Sequence, residues 1–462
     1  MKKRNSVAFF NILSIILLQG ISFFTAPLFM RLLGDSGYGV TQIYNTWVAV
    51  IAIAFTFQTQ GTLVNARVEY PQAQQKQYQS SAMFLSMLLF AVCGALVLLF
   101  LEPAANLLKL DKLFVVLMLV QAFGTFCVNF LNARNVYEFK AGQNMLLSVS
   151  ITLVTLVLSV VLILRLPEGM GYYGRIGAIA ATYGVIGIPI GIWILLRGKT
   201  LVSIEYWKFC VVLAIPAMFY NLSDLILGQS DKVMIQQMLD DASAGQYAAA
   251  LNFGNIMFIL YGALNNSWMP FFFEDKKQGN TPEIQSRAKN FLELFAVLAV
   301  GFILLSREVY YVFAGKQFQK GTDLIPIFVA GYFLNFLCTF PINYETYYKK
   351  TKVVAMVTIF CSAFNVGLNY VLINMIGMAG AAIATTTSRG LQLLLHYLYV
   401  RYFLDKKAYP FGIRLWGKYL LTFAVMFAFV YLTEGIWLAR WGLGTAIGVW
   451  ELFRIRKRKC LI

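Results

Sequence analysis

Roughly fourteen stretches of mostly apolar residues, each near twenty long, follow one another along the chain with short polar connections between them. About twenty such residues in a helix cross the hydrocarbon core of a bilayer, so the pattern points to an all-α polytopic membrane protein. The runs fall near 7–30, 39–59, 81–101, 113–131, 144–164, 177–196, 208–230, 245–272, 290–313, 322–341, 353–374, 378–403, 416–433 and 436–453. The last two are short and close together, which leaves twelve helices plus a re-entrant hairpin as the alternative. The first follows Lys2, Lys3 and Arg4 as a signal peptide would. It is longer than such a peptide and carries Asn11 and Gln19, so a retained helix is expected. Only 13% of residues are charged, and mean hydropathy is +0.67. A soluble globular chain carries about 25% charge, so an ordinary soluble enzyme, a disordered chain and a fibrous repeat are excluded.

Basic residues orient the helices. With the N-terminus inside and the runs alternating, the inner connections hold 27 of the 38 Lys and Arg and the outer ones 10, with Arg389 left inside a helix. That asymmetry places both termini in the cytoplasm. The net charge of +17 then belongs to loops beside anionic lipid, including the closing cluster Arg454, Arg456, Lys457, Arg458 and Lys459, and no nucleic-acid partner is expected.

Three segment pairs share nearly one offset. Gly174–Thr182 resembles Gly377–Thr385, Phe130–Lys140 resembles Phe340–Lys350, and the corner Leu33–Gly39 resembles Leu239–Gly245. An internal repeat of six helices follows, with the two copies in the same orientation and a pseudo-twofold axis along the membrane normal. The expected division is an N-lobe at 1–200, a C-lobe at 201–405, and a C-terminal helix pair with a basic tail at 406–462.

Several chemistries lack their residues. One histidine, His396, excludes a multi-His metal site. Five of the six cysteines lie in apolar runs without a CxxC pair and read as packing residues. Gly198-Lys199-Thr200 supplies the end of a phosphate-cradling loop, but position 193 is Trp where that loop needs Gly. ATP hydrolysis is therefore not expected, and neither are catalytic residues, metals or cofactors. A membrane-embedded glycosyltransferase or polymerase needs paired acids, whereas Asp35 stands alone in a short outer loop. A transporter is the better reading.

Polar residues inside apolar runs mark candidate sites, because burying charge there costs several kcal/mol (about 2.5–3.5 on insertion scales). Thr385, Thr386, Arg389, Gln392 and His396 recur at helical spacing and share one face. That face lines an aqueous cavity with Arg389 on an anion, or else Arg389 forms a structural ion pair. Asn221, Asp224, Gly228, Asp231 and Lys232 form a similar stripe, read as charge compensation, ion coupling or a gate in the cavity, or else as an interlobe salt bridge. Asn11, Asn45 and Asn252 belong to neutral stripes suited to hydroxyl-rich cargo, or to interhelical hydrogen bonds. Arg31 and Arg67 stand at helix ends, where each meets a lipid phosphate or simply anchors the interface.

The segment Pro27-Leu-Phe-Met-Arg31-Leu-Leu-Gly34-Asp-Ser-Gly-Tyr-Gly39 carries a family resemblance. So do Asp231-Lys232 with Gly245-Gln-Tyr247-Ala-Ala-Ala, and Asn369-Tyr370-Val-Leu-Ile373 with Gly377-Met-Ala-Gly380-Ala-Ala-Ile-Ala-Thr385. Together the chain resembles the Wzx-type oligosaccharidyl-lipid flippases of the multidrug/oligosaccharidyl-lipid/polysaccharide exporter (MOP) superfamily. The resemblance implies a V-shaped, MATE-like fold of two lobes working by alternating access. It implies a polyprenyl (undecaprenyl) diphosphate cargo carrying a sugar repeat unit. That cargo would cross from the inner to the outer leaflet of the bacterial cytoplasmic membrane, for capsule, O-antigen or exopolysaccharide synthesis. Glycosyltransferases and a polysaccharide polymerase are the implied partners beside the bilayer. On this footing Arg389, with Lys232, Arg31 or Arg67, meets the diphosphate, and Gln392, Asn11, Asn45 and Asn252 line the cavity. Asp224 and Asp231 are the candidates for coupling to an H+ or Na+ gradient. Two relatives compete. A MATE-type multidrug antiporter usually has twelve helices and an acidic cavity. A lipid II flippase has fourteen but favours arginines in its first lobe, where the helix centres here carry none.

Overall fold

A computed structural model describes residues 2–138, 140–405, 411–433 and 436–458; the side chains of 2–19, 22, 413–415 and 452–458 lie outside the described residues. Asn11, Arg454, Arg456, Lys457 and Arg458 fall in the latter groups, and Lys459 lies outside the described residues. Among the described residues the regular structure is helical, without strands.

The helices are α1 (Lys2–Thr56), α2 (Leu63–Glu69), α3 (Gln75–Leu99), α4 (Leu101–Leu108), α5 (Lys112–Tyr137), α6 (Ala141–Arg165), α7 (Gly171–Gly198) and α8 (Ile204–Met238). They continue as α9 (Asp241–Lys277), α10 (Thr281–Ala314), α11 (Ile325–Tyr347), α12 (Thr351–Ile376), α13 (Met378–Tyr399), α14 (Ile413–Leu432) and α15 (Trp437–Arg458). Among the described residues, ten of them are long and apolar enough to cross a membrane. Each of the fourteen expected runs falls on a helix, because α1 carries two. Its 55 residues would measure about 80 Å if straight, far beyond the hydrocarbon core. Gly34 breaks it, with φ 69° and ψ −179°, a conformation open to glycine and closed to side chains with a Cβ.

The helices pack as two units, Met1–Gly245 and Gln246–Ile462. The first therefore includes α8, which packs on α1 and α3. Its core joins Tyr44, Phe114, Met118 and Ile176 with Phe126, Phe130, Tyr78 and Cys210, all buried. The two repeat corners meet inside this unit. A Cβ on Gly39 would stand 2.0 Å from the Asp241 carbonyl oxygen, and one on Gly245 would stand 2.0 Å from that of Asp35. The corners thus cross backbone to backbone.

In the second unit α13 packs on both α11 and α12. An aromatic cluster of Trp268, Phe272, Phe291, Phe340 and Tyr344 fills the space between α9, α10 and α11. The C-terminal pair is held by Phe423 of α14, whose ring lies 4.2 Å from that of Phe333, and by a pair between buried Arg440 of α15 and Glu308 of α10.

Candidate functional site

A polar cavity of about 240 Å³ lies inside the first unit, walled by α1, α5, α6 and α7. Arg175 reaches it from the second turn of α7. Its Nη1 donates to Ser159 Oγ at 2.7 Å, and the guanidinium sits 3.7 Å from the centre of the Phe29 ring. Among the described residues no carboxylate pairs with it. Opposite, Gln121 Nε2 approaches Asn45 Oδ1 at 3.5 Å. Thr152, Thr155 and Gln121 complete the polar part of the lining. A guanidinium at a polar void, with no described carboxylate beside it, marks a place that an anionic ligand completes.

The local sequence explains how Arg175 is held. Asp111 caps α5 by accepting from the Leu113 N–H at 3.0 Å, and its other oxygen accepts from the Tyr173 hydroxyl at 2.7 Å. These two donors hold the Asp111 carboxyl below the usual range. The ionised cap therefore ties the first turn of α7 to the start of α5, two residues before Arg175.

The second unit gathers its polar residues differently. On α13, Arg389 is half-buried and Nη1 donates to Gln392 Oε1 at 3.1 Å; Gln392 Nε2 in turn donates to Thr358 Oγ1 of α12 at 3.3 Å. Thr385 accepts from Asn365 at 3.0 Å, Asn369 donates to Asn365 at 3.1 Å, and Thr386 donates to the Ile327 carbonyl at 3.0 Å. His396 Nδ1 lies 2.8 Å from Glu345 Oε1 of α11, with both side chains fully buried. The expected face of α13 is present, and its groups are linked to α11 and α12.

The other expected site residues scatter. Asn45 joins the Arg175 cavity. Asp231 and Lys232 are buried neighbours on α8, whereas Asp224 on the same helix is exposed. Asn252 on α9 is half-buried, and Arg31 is exposed on α1. Arg67, at the end of α2, lines a separate basin of about 550 Å³ among the connections.

Sequence reasoning missed Arg175 and Glu345. Arg175 lies in the second turn of α7 and not at a helix centre, and it was missed because α7 begins at Gly171 and not at 177. A signal was present. Tyr172 and Tyr173 are aromatics of the kind that mark the membrane interface, which puts Arg175 on its inner side. Glu345 carried no such signal, since its partner lies 51 positions away.

A family model described as polysaccharide biosynthesis protein matches residues 6–275, more than half of the chain. An uncharacterized membrane protein of Haemophilus influenzae is 25% identical over 150 residues, covering 32% of this chain and 36% of its own. Lsg locus putative protein 1 of the same organism is 24% identical over 172 residues, covering 36% and 43%. The chain thus spans less than half the length of these curated relatives. Among solved structures, lipid II flippase MurJ in an inward closed conformation matches with a TM-score of 0.71, over 97% of this chain and 99% of that one, at 15% identity. An inward-facing multidrug resistance MATE transporter of the MOP superfamily matches with a TM-score of 0.62, over 84% and 95%, also at 15% identity. These likenesses show that the chain has the MOP-type helical fold.

Proposed function

Because the chain belongs to the polysaccharide biosynthesis protein family, we propose that it is a flippase for polyprenyl-diphosphate-linked oligosaccharide. The repeat unit would cross from the inner to the outer leaflet of a bacterial cytoplasmic membrane by alternating access, with both termini on the cytoplasmic side. Glycosyltransferases would build the cargo before it crosses, and a polymerase would consume it afterwards. The work is transport and not bond chemistry.

The observation that carries this reading is Arg175 in its cavity. A guanidinium offers a planar fork of donors that matches phosphate oxygens. In a poorly hydrated setting with no described carboxylate beside it, that fork favours an anion strongly. Asn45, Gln121 and Thr155 add amide and hydroxyl groups suited to the first sugar. Ligand pockets usually enclose about 300–1,000 Å³. A cavity of about 240 Å³ therefore suits the anionic head, not a whole repeat unit, and the lipid tail would stay in the bilayer. Arg389 with Gln392 is the proposed contact in the second unit, and Lys232, Arg31 and Asn252 remain proposed contributors. For coupling to an H+ or Na+ gradient the candidates are Asp231, buried beside Lys232, and the exposed Asp224.

Lipid II as cargo is the second reading, and Arg175 favours it by supplying the first-unit arginine that the sequence had not revealed. A cation-exporting antiporter is disfavoured by the same residue, because the cavity presents a cation where such a transporter needs an acid. Mass spectrometry of lipid-linked glycans from a deletion strain tests these readings. Accumulation of a complete repeat unit on polyprenyl diphosphate, with surface polymer lost, is expected. Accumulation of lipid II would transfer the cargo assignment. Normal pools with greater sensitivity to cationic drugs would sink the flippase reading.

A further inference from the structure

We propose that the basin bounded by the α2–α3, α5–α6 and α7–α8 connections is a binding site for a diphosphate group, separate from the Arg175 cavity. Its volume is about 550 Å³, and its lining includes Arg67, Lys76, Arg134, Lys140 and Arg197, with Glu138 as the carboxylate. The cations come from three connections and face a shared space. Like charges brought together in this way repel unless an anion lies between them. Five cations against one carboxylate leave a surplus that a diphosphate, with more charge than a single phosphate, answers more fully.

The basin is built, not assembled by chance from mobile loops. Glu138 accepts from Arg134 Nε at 2.8 Å, from Arg134 Nη2 at 3.0 Å and from Lys140 Nζ at 2.6 Å. Burial pushes the Glu138 carboxyl up, but these hydrogen bonds and charges outweigh it and leave the pKa at about 2. It therefore stays ionised and keeps Arg134 and Lys140 in place. The Trp193 ring holds two guanidiniums, with Arg134 and Arg197 at 5.0 and 5.2 Å from its centre. Arg197 is brought beside Lys76 because a Cβ on Gly198 would stand 2.1 Å from the Lys76 carbonyl oxygen, so only glycine lets the end of α7 close on the start of α3. Gln75 Nε2 bridges the Ala66 and Tyr70 carbonyls at 2.8 and 2.6 Å and fixes the turn between α2 and α3. Interface anchoring by scattered basic residues needs none of these contacts.

By the basic-residue count, this end of the unit faces the cytoplasm. A diphosphate there comes from one of two sources, the head of a lipid-linked substrate in the inner leaflet or a free nucleoside diphosphate. Calorimetric titration of the purified full chain in neutral detergent separates them, using inorganic diphosphate, uridine diphosphate and farnesyl diphosphate as probes. Inorganic phosphate and phosphatidylglycerol serve as comparators. Saturable diphosphate binding is expected, weakened on the order of 10-fold or more by Lys76→Gln with Arg197→Gln and retained in Lys76→Arg. Tighter binding of farnesyl diphosphate than of the water-soluble probes assigns the lipid-linked source. Equal or tighter binding of uridine diphosphate assigns the free one. The proposal is overturned by absence of saturable diphosphate binding, or by unchanged binding in the double variant at an unchanged melting temperature. Competition by phosphatidylglycerol as strong as that by diphosphate also overturns it, since the basin would then be a lipid anchor. Binding is read on purified protein and flipping in cells, so either idea can fail alone.

Discussion

The polar interiors of the two units use the same ingredients to different ends. Each has a helix-borne arginine, Arg175 or Arg389, with amides and hydroxyls within reach. Around Arg175 the groups stand back from one another and leave a void of about 240 Å³. On α13 they form separate ties, Thr385 to Asn365 and Arg389 through Gln392 to Thr358, and Glu345 closes on His396 in full burial. A stripe of polar residues on a membrane helix is therefore not in itself a binding site. What separates the two here is the open space beside Arg175, against direct side-chain ties on α13.

The contrast can be broken most decisively at Arg175. Arg175→Ala removes charge-assisted hydrogen bonds worth about 1.5–3 kcal/mol, or roughly 10- to 100-fold. Export of surface polymer should fall by that factor while membrane abundance is kept, and Arg175→Lys should recover only part of it. Quantifying polymer per molecule of the protein checks this; full export in Arg175→Ala would erase the distinction between the units. Glu345→Ala should act in the opposite sense, on folding. Leaving His396 buried without its partner should cost about 2–4 kcal/mol and lower the melting temperature, with export per surviving molecule unchanged. A melting curve in detergent shows it, and a stable variant with lost export would make the pair functional.

Gln392→Ala sharpens the comparison more gently. It cuts the link between Arg389 and Thr358, and a loss of about 1 kcal/mol is expected. A greater loss of export than of stability would promote Arg389 to a ligand contact equal to Arg175. The smallest effect lies outside the membrane, where Glu138 serves as a reference ion pair. Its folded pKa of about 2 is below the ordinary 4.5. Its contribution is thus complete above about pH 4.5 and lost as pH falls toward 2. Melting temperatures from about pH 6 to about pH 3 should decline less in Glu138→Gln than in the parent; parallel curves would deny the pair any role.

Much of the fold was legible because bilayer thickness makes apolar run length a direct readout of spans. Both halves of α1 and the pair α14–α15 were located in this way, and Gly34 stood out as a corner. Boundaries and partners were harder to read. Gly171-Tyr-Tyr-Gly lacks the hydropathy of a span, yet α7 runs through it, and six added residues turned Arg175 from a loop residue into a cavity residue. Helical spacing put Asp224 and Asp231 on one face, but spacing says nothing of depth or neighbours. One is exposed and the other buried. His396 was visible on its face, while Glu345 belongs to another helix and only packing unites them.

The central claim is that Arg175 receives the diphosphate of a lipid-linked oligosaccharide. The direct test replaces the chromosomal copy with Arg175→Ala and measures polyprenyl-diphosphate-linked glycans by mass spectrometry, with the variant's membrane abundance as control. The expected result is a complete repeat unit accumulating on its lipid carrier while surface polymer falls. Parental glycan pools and parental surface polymer, from a variant present at parental abundance, would contradict it.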